Sequence, residues 1–210
     1  KVHRELETSQ PSVTGGKRDM RNVQSAAIAN ITTFLRWTEE VLNFWGQEPV
    51  MALKAGGIGV RDLRDLTQHL GVETECASFI IEVAYISGLL TIDPDDRILP
   101  TTQFDIWLTQ RPSDKWSSLA AAWLATSRVS GLVGNESTKN IAPLGPELDR
   151  VSAASIRSLT LALLKENQDG AVTADSLISA AQWQRPAKRT GGVPASYIEY
   201  TLREAEWLGI

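Results

Sequence analysis

The chain has 210 residues and a formal net charge of −4, which excludes a surface coated uniformly with phosphate-binding groups, because such domains are basic. Two His and a single Cys exclude a self-contained zinc site and argue against a Cys–His nucleophile. Cys76 alone cannot form an intrachain disulfide, so a reducing, cytoplasmic interior suits the chain.

Hydrophobic content of 42% and charged content of 22% are ordinary for a globular domain, and the length allows one large domain or two small ones. Lys1 at the start and an end directly after Gly209 read as a piece of a longer protein. No apolar run approaches the ~20 residues of a membrane span, and no signal peptide is visible. The sequons at Asn30 and Asn135 have meaning only in a secreted protein.

Residues 1–21 are polar, with Pro11, Gly15 and Gly16, and predict a flexible tail. From Val23 to Trp45 apolar residues recur at helical spacing, giving one long helix or two broken around Trp37 and Thr38. Gly56, Gly57 and Gly59 then predict a tight turn. Val60, Leu63, Leu66 and Leu70 line one face of a second helix stopped by Gly71. A third helix is expected over 74–87, ended by Gly88. The runs 89–92 and 97–100 read as strands around an Asp-Pro-Asp-Asp turn. Thr102 is a plausible cap for a further short helix. Trp116, Leu119, Ala120, Trp123 and Leu124 stripe the helix that Pro112 opens. The stretch from Ser127 to Asp149 is rich in Gly, Pro, Ser and Asn, and a linker is placed at 131–150. Helices beginning at Ser152, Thr173 and Ser196 follow, with a loop from Gln182 to Pro194.

Helix, helix, hairpin is the order of a winged helix, a helix-turn-helix followed by a β-ribbon. The endings AYISGL and AEWLGI echo one another, each placing Gly four residues after Ala. The expected fold is mainly α, with tandem winged-helix-like subdomains (helix-turn-helix plus β-hairpin wing) and an N-terminal helical segment, the tandem arrangement resting on this echo and chiefly on the family resemblance that the runs quoted next carry. Residues 22–130 would hold the helical lead, the first winged-helix subdomain and the following helix. Residues 151–210 would form a second, truncated before its wing.

The runs LKAGGIGVRDLRDL, IIEVAYISGLL, ILPTTQFDIWL, KWSSLAAAWLATSRVSGLVG and REAEWLGI resemble the middle region of actinobacterial helicase-associated proteins. The C-terminal part of those proteins is similar to the N-terminal region of XPB-type helicases. The resemblance spans roughly residue 41 to the end and implies DNA-linked activity. It brings no catalytic residue and no cofactor.

No G-x-x-x-x-G-K-[ST] loop is present, and the AGGIGVR run lacks G-x-G-x-x-G spacing, so it reads as a turn entering a helix. Asp93, Asp95 and Asp96 lack EF-hand spacing and read as turn formers. No enzyme, metal or cofactor is expected. Direct base readout needs Arg, Lys, Asn or Gln, and the third helix has none; it carries Glu75 and Glu82. Candidate phosphate contacts are Arg185, Lys188 and Arg189 in a loop without acids, Arg97 on the wing, and Arg61 and Arg64 on the second helix. Asp62 and Asp65 alternate with the last two, so pairing across the helix is the default there. Two functions compete. One is a non-catalytic nucleic-acid module with DNA as partner. The other is a scaffold whose exposed third-helix face meets another domain of the full-length protein or a protein partner. No membrane is expected as a partner.

Overall fold

The computed structural model describes residues 9–134, 141–167, 171–186 and 192–210. Among these the chain is mainly helical, with one small three-stranded sheet. It opens with α1, Met20–Gln47, whose N-terminus is capped by Asp19 accepting from Arg21 N–H at 2.9 Å. Phe34, Thr38, Val41, Leu42 and Trp45 recur at helical spacing and are buried. Thr38 returns its hydroxyl proton to the Phe34 carbonyl at 2.9 Å, so α1 runs through residues 37–38 without a break.

Next come strand β1 (Val50–Met51), helices α2 (Val60–Leu70) and α3 (Thr74–Ile86), then strands β2 (Leu90–Ile92) and β3 (Arg97–Pro100). The sheet is antiparallel, ordered β1-β3-β2, with Val50 opposite Ile98 and Ile92 opposite the same residue on the other side. Asp93 makes the β2–β3 turn by accepting from the backbone N–H of Asp95 at 2.9 Å and of Arg97 at 2.8 Å. Thr101, not Thr102, caps α4 (Thr102–Leu108), accepting from Gln103 N–H. Helix α5 spans Pro112–Ala125, with Pro at its first position.

Within the stretch expected as a linker, the described residues 131–134 and 141–150 contribute to the core. Leu132, Val133, Leu144 and Leu148 are buried in one cluster with α1, α3 and α5. Val129 N–H donates to Leu148 and Arg150 N–H to Ser127, closing the base of this excursion. The excursion explains the glycines after β1. Gly57 sits at φ +85°, and a Cβ there would lie 2.6 Å from the Pro143 carbonyl, which accepts from Ile58 N–H. Only glycine satisfies both the left-handed backbone and the close approach.

Helices α6 (Ala153–Glu166), α7 (Ala174–Gln184) and α8 (Ala195–Leu208) enclose a smaller core of Ile156, Leu163, Leu177, Ala180, Ala181, Val193 and Ile198. Helix α8 belongs to both cores, because Ala205 and Leu208 pack into the larger one. Each large side chain so buried contributes about 1.5–3 kcal/mol. Part of the expected tail is also held: Val13 packs on the smaller core, and Thr14 accepts from Thr173 N–H at 3.1 Å.

Candidate functional site

The candidate phosphate contacts come from three separate elements. Arg61, with its side chain 91% exposed, stands 4.0 Å from Asp65, the local pairing expected on α2. Arg64 is exposed on the same helix. Arg97 is committed to the hairpin: it donates through Nε at 2.9 Å and stands 2.8 Å away through Nη2, both to Asp93 Oδ2. Backbone N–H donation from Arg97, then its side chain, holds the Asp93 carboxyl below its ordinary pKa. Arg185 ends α7 and donates to Ser155 Oγ at 2.9 Å. Lys188 and Arg189 lie outside the described residues.

The third helix differs from its expectation. Cys76 through Ala84 are all buried, so α3 presents no open face along its middle. Val129, Leu132, Val133, Leu144 and Leu148 cover it with α5, together with α1 and α2. The reason is in its composition: TECASFIIEVAYI is apolar almost all round, and such a helix belongs inside. Glu82, read as a phosphate-repelling surface charge, is 3% exposed. Arg128 grips it with Nε at 2.6 Å and Nη2 at 3.1 Å, and Leu144 N–H donates to Glu82 Oε1 at 2.5 Å. Arg128 also donates to the Gly145 carbonyl and stacks over Tyr85, and its paired guanidinium is held above the ordinary pKa despite burial.

A second buried carboxylate lies on α8. Glu204 accepts from Trp123 Nε1 at 2.7 Å and from Ser130 Oγ at 2.6 Å, with Arg157 3.9 Å away. Arg157 donates to the Thr126 and Arg128 carbonyls and lies over the Trp123 ring. Burial pushes the Glu204 pKa up, although Arg157, Ser130 and Trp123 all favour its anion. The void beside it is about 10 Å³, room for one water at most. These two clusters join the parts of the chain, and the void beside Glu204 leaves no space for a substrate. The sequence held one signal for them, a lone acid inside the run FIIEVAYI, since a buried charge requires a partner. That Arg128 and Arg157 are those partners follows only from tertiary contact.

Trp123 is 1% exposed, whereas Trp116 is only half-buried and donates to the Leu208 carbonyl at 2.8 Å. Among the described residues no group of three or more His, Cys, Asp or Glu comes together, and no helix is long and apolar enough to cross a membrane. Comparison with protein-family models, curated proteins and solved structures returns no match for this chain.

Proposed function

We propose that this chain is a non-catalytic tandem winged-helix module of a larger helicase-like protein, working as a structural and protein-interaction scaffold in a cytoplasmic setting. The order α1-β1-α2-α3-β2-β3 supports the winged-helix reading of the first unit. Two likenesses support the tandem reading. Helices α2 and α7 each have 11 residues, and the glycines after α3 and α8 share a left-handed φ, +72° and +74°.

The observation that favours a scaffold over base readout is the burial of α3, which also withdraws the α3 face as the scaffold's contact surface. In a helix-turn-helix the last helix enters the major groove. Here its middle is covered by the chain itself, and its central acid, Glu82, is consumed by Arg128. Helix α8 turns Glu199 and Glu206 outward, which repels phosphate. Fluorescence anisotropy with labelled duplex and single-stranded DNA tests this. Sequence-independent binding that vanishes by physiological salt, or no binding, is expected. Tight binding that discriminates between duplex sequences would refute it.

A second reading rests on the exposed Arg61 and Arg64: DNA held through phosphates by α2, with Arg97 and Arg185 assisting. Under it, Arg61→Ala with Arg64→Ala weakens binding to every sequence alike, because phosphate contacts position without specifying.

A further inference from the structure

The segment between α6 and α7 gives its backbone donors to the beginning of the chain. Ala171 N–H donates to the Gly16 carbonyl and Thr173 N–H to the Thr14 carbonyl at 3.1 Å, so residues 14–16 and 171–173 run in opposite directions. Ser176 Oγ, in the first turn of α7, stands 3.3 Å from the same Thr14 carbonyl. The approach is close: a Cβ at Gly15 would fall on the Ala171 carbonyl oxygen. Glycine within an extended segment marks such an approach of another backbone.

Side chains add little to this hold. Pro11 and Val13 are half-buried, Val13 against the smaller core, whereas Ser12 and the residues from Thr14 to Asp19 are exposed. Element order gives the place a counterpart. Strand β1 lies between α1 and α2 and pairs with the hairpin strand β3, Val50 opposite Ile98 and Met51 opposite Arg97. Residues 171–173 lie likewise between α6 and α7, and among the described residues the start of the chain supplies the pairing backbone there.

We propose that residues 171–173 are a strand-acceptor edge for an extended segment of another protein chain, and that residues 13–16 fill this edge in cis. Backbone donors do not distinguish one extended strand from another, so a strand from a second protein satisfies the same N–H groups. In such strand addition main-chain hydrogen bonds supply affinity, and pockets for alternate side chains supply selectivity. The segment that fits carries an aliphatic residue at the place of Val13 and glycine two residues later, at the place of Gly15. The cis strand, tethered to α1 by residues 17–19, acts at an effective concentration of about millimolar, so a partner binds once it is released. The inference does not rest on the scaffold reading, because DNA held by α2 would leave this edge unchanged.

Hydrogen exchange on the full 210-residue chain, read by NMR at the Ala171 and Thr173 amides, tests it. Both amides should be protected in the unchanged chain. Gly15→Val, whose side chain would meet the Ala171 carbonyl, should speed their exchange about ten-fold or more while α6 and α7 keep their protection. A synthetic peptide spanning residues 9–18 should then restore protection in this variant, and the same peptide carrying Gly15→Val should not. Amides that exchange freely in the unchanged chain overturn the proposal. So does protection that survives Gly15→Val, that the first peptide fails to restore, or that both peptides restore alike. If Gly15→Val also melts early, Val13→Ser decides by the same readout: protection regained with the peptide supports the edge, and none regained overturns it.

Discussion

Replacing Arg128 with Met tests whether the ion pair on α3 holds the 127–150 excursion to the core. The Glu82 and Arg128 side chains are 4% and 11% exposed, so the remaining carboxylate cannot regain water without opening the structure. Removing one partner of such a buried pair costs about 3–5 kcal/mol, chiefly through the charge left behind. The Gly145 carbonyl also loses its donor. For a chain of this size each kcal/mol moves the midpoint by roughly 2–4 °C, so a fall of roughly 6–20 °C is expected. Calorimetry and urea unfolding followed by tryptophan fluorescence measure it. The double variant Glu82→Gln with Arg128→Met removes the stranded charge and keeps an acceptor for Leu144 N–H. It should recover roughly half of the loss or more, because replacing both members of a buried pair is far milder than removing one. A single-variant loss below about 1 kcal/mol, the level of a surface pair, would show that water reaches Glu82 and would refute the reasoning.

Trp123→Ala should cost about 3–5 kcal/mol by leaving a cavity, and Trp123→Phe should isolate the lost donor to Glu204; a melt unmoved by the first would contradict the burial of the ring. Glu204 binds its proton more tightly in the folded chain than in the unfolded one, because burial raises its pKa. Its contribution is therefore fully present below the unfolded pKa and declines as pH rises through the folded value. Urea midpoints of the unchanged chain should rise relative to Glu204→Gln as pH falls from neutral toward mild acid, and a difference independent of pH would count against this sign. Burial pushes the Cys76 thiol up to about 12, so labelling by a thiol reagent at neutral pH should await unfolding; rapid labelling of the native chain would show that α3 opens readily.

Much of the local structure was legible in the residues because it depends on short-range chemistry. The 3.6-residue period gave α2, α3 and α5; β-prone runs around Asp93 gave the hairpin; Gly71, Gly88 and Gly209 marked left-handed helix ends. The reason α3 lies inside is also in its composition, since TECASFIIEVAYI is apolar almost all round. Reading Glu75 and Glu82 as surface charges nevertheless left one face of it exposed, which the burial of Glu82 overturns. What covers it was decided by the tertiary structure. The Gly/Pro-rich 127–150 stretch has loop chemistry, yet its few apolar residues, Val129, Leu132, Val133, Leu144 and Leu148, are what closes over α3. Nothing local distinguishes such a stretch from a solvated linker, because the energy that holds it comes from surfaces far away in sequence. The same holds for the ion pairs. Glu82 with Arg128 and Glu204 with Arg157 are 46 and 47 residues apart, and a charge carries no mark of the partner that neutralises it. Sequence spacing fixes which side chains share a helix face. Only packing between helices determines which faces remain for a partner.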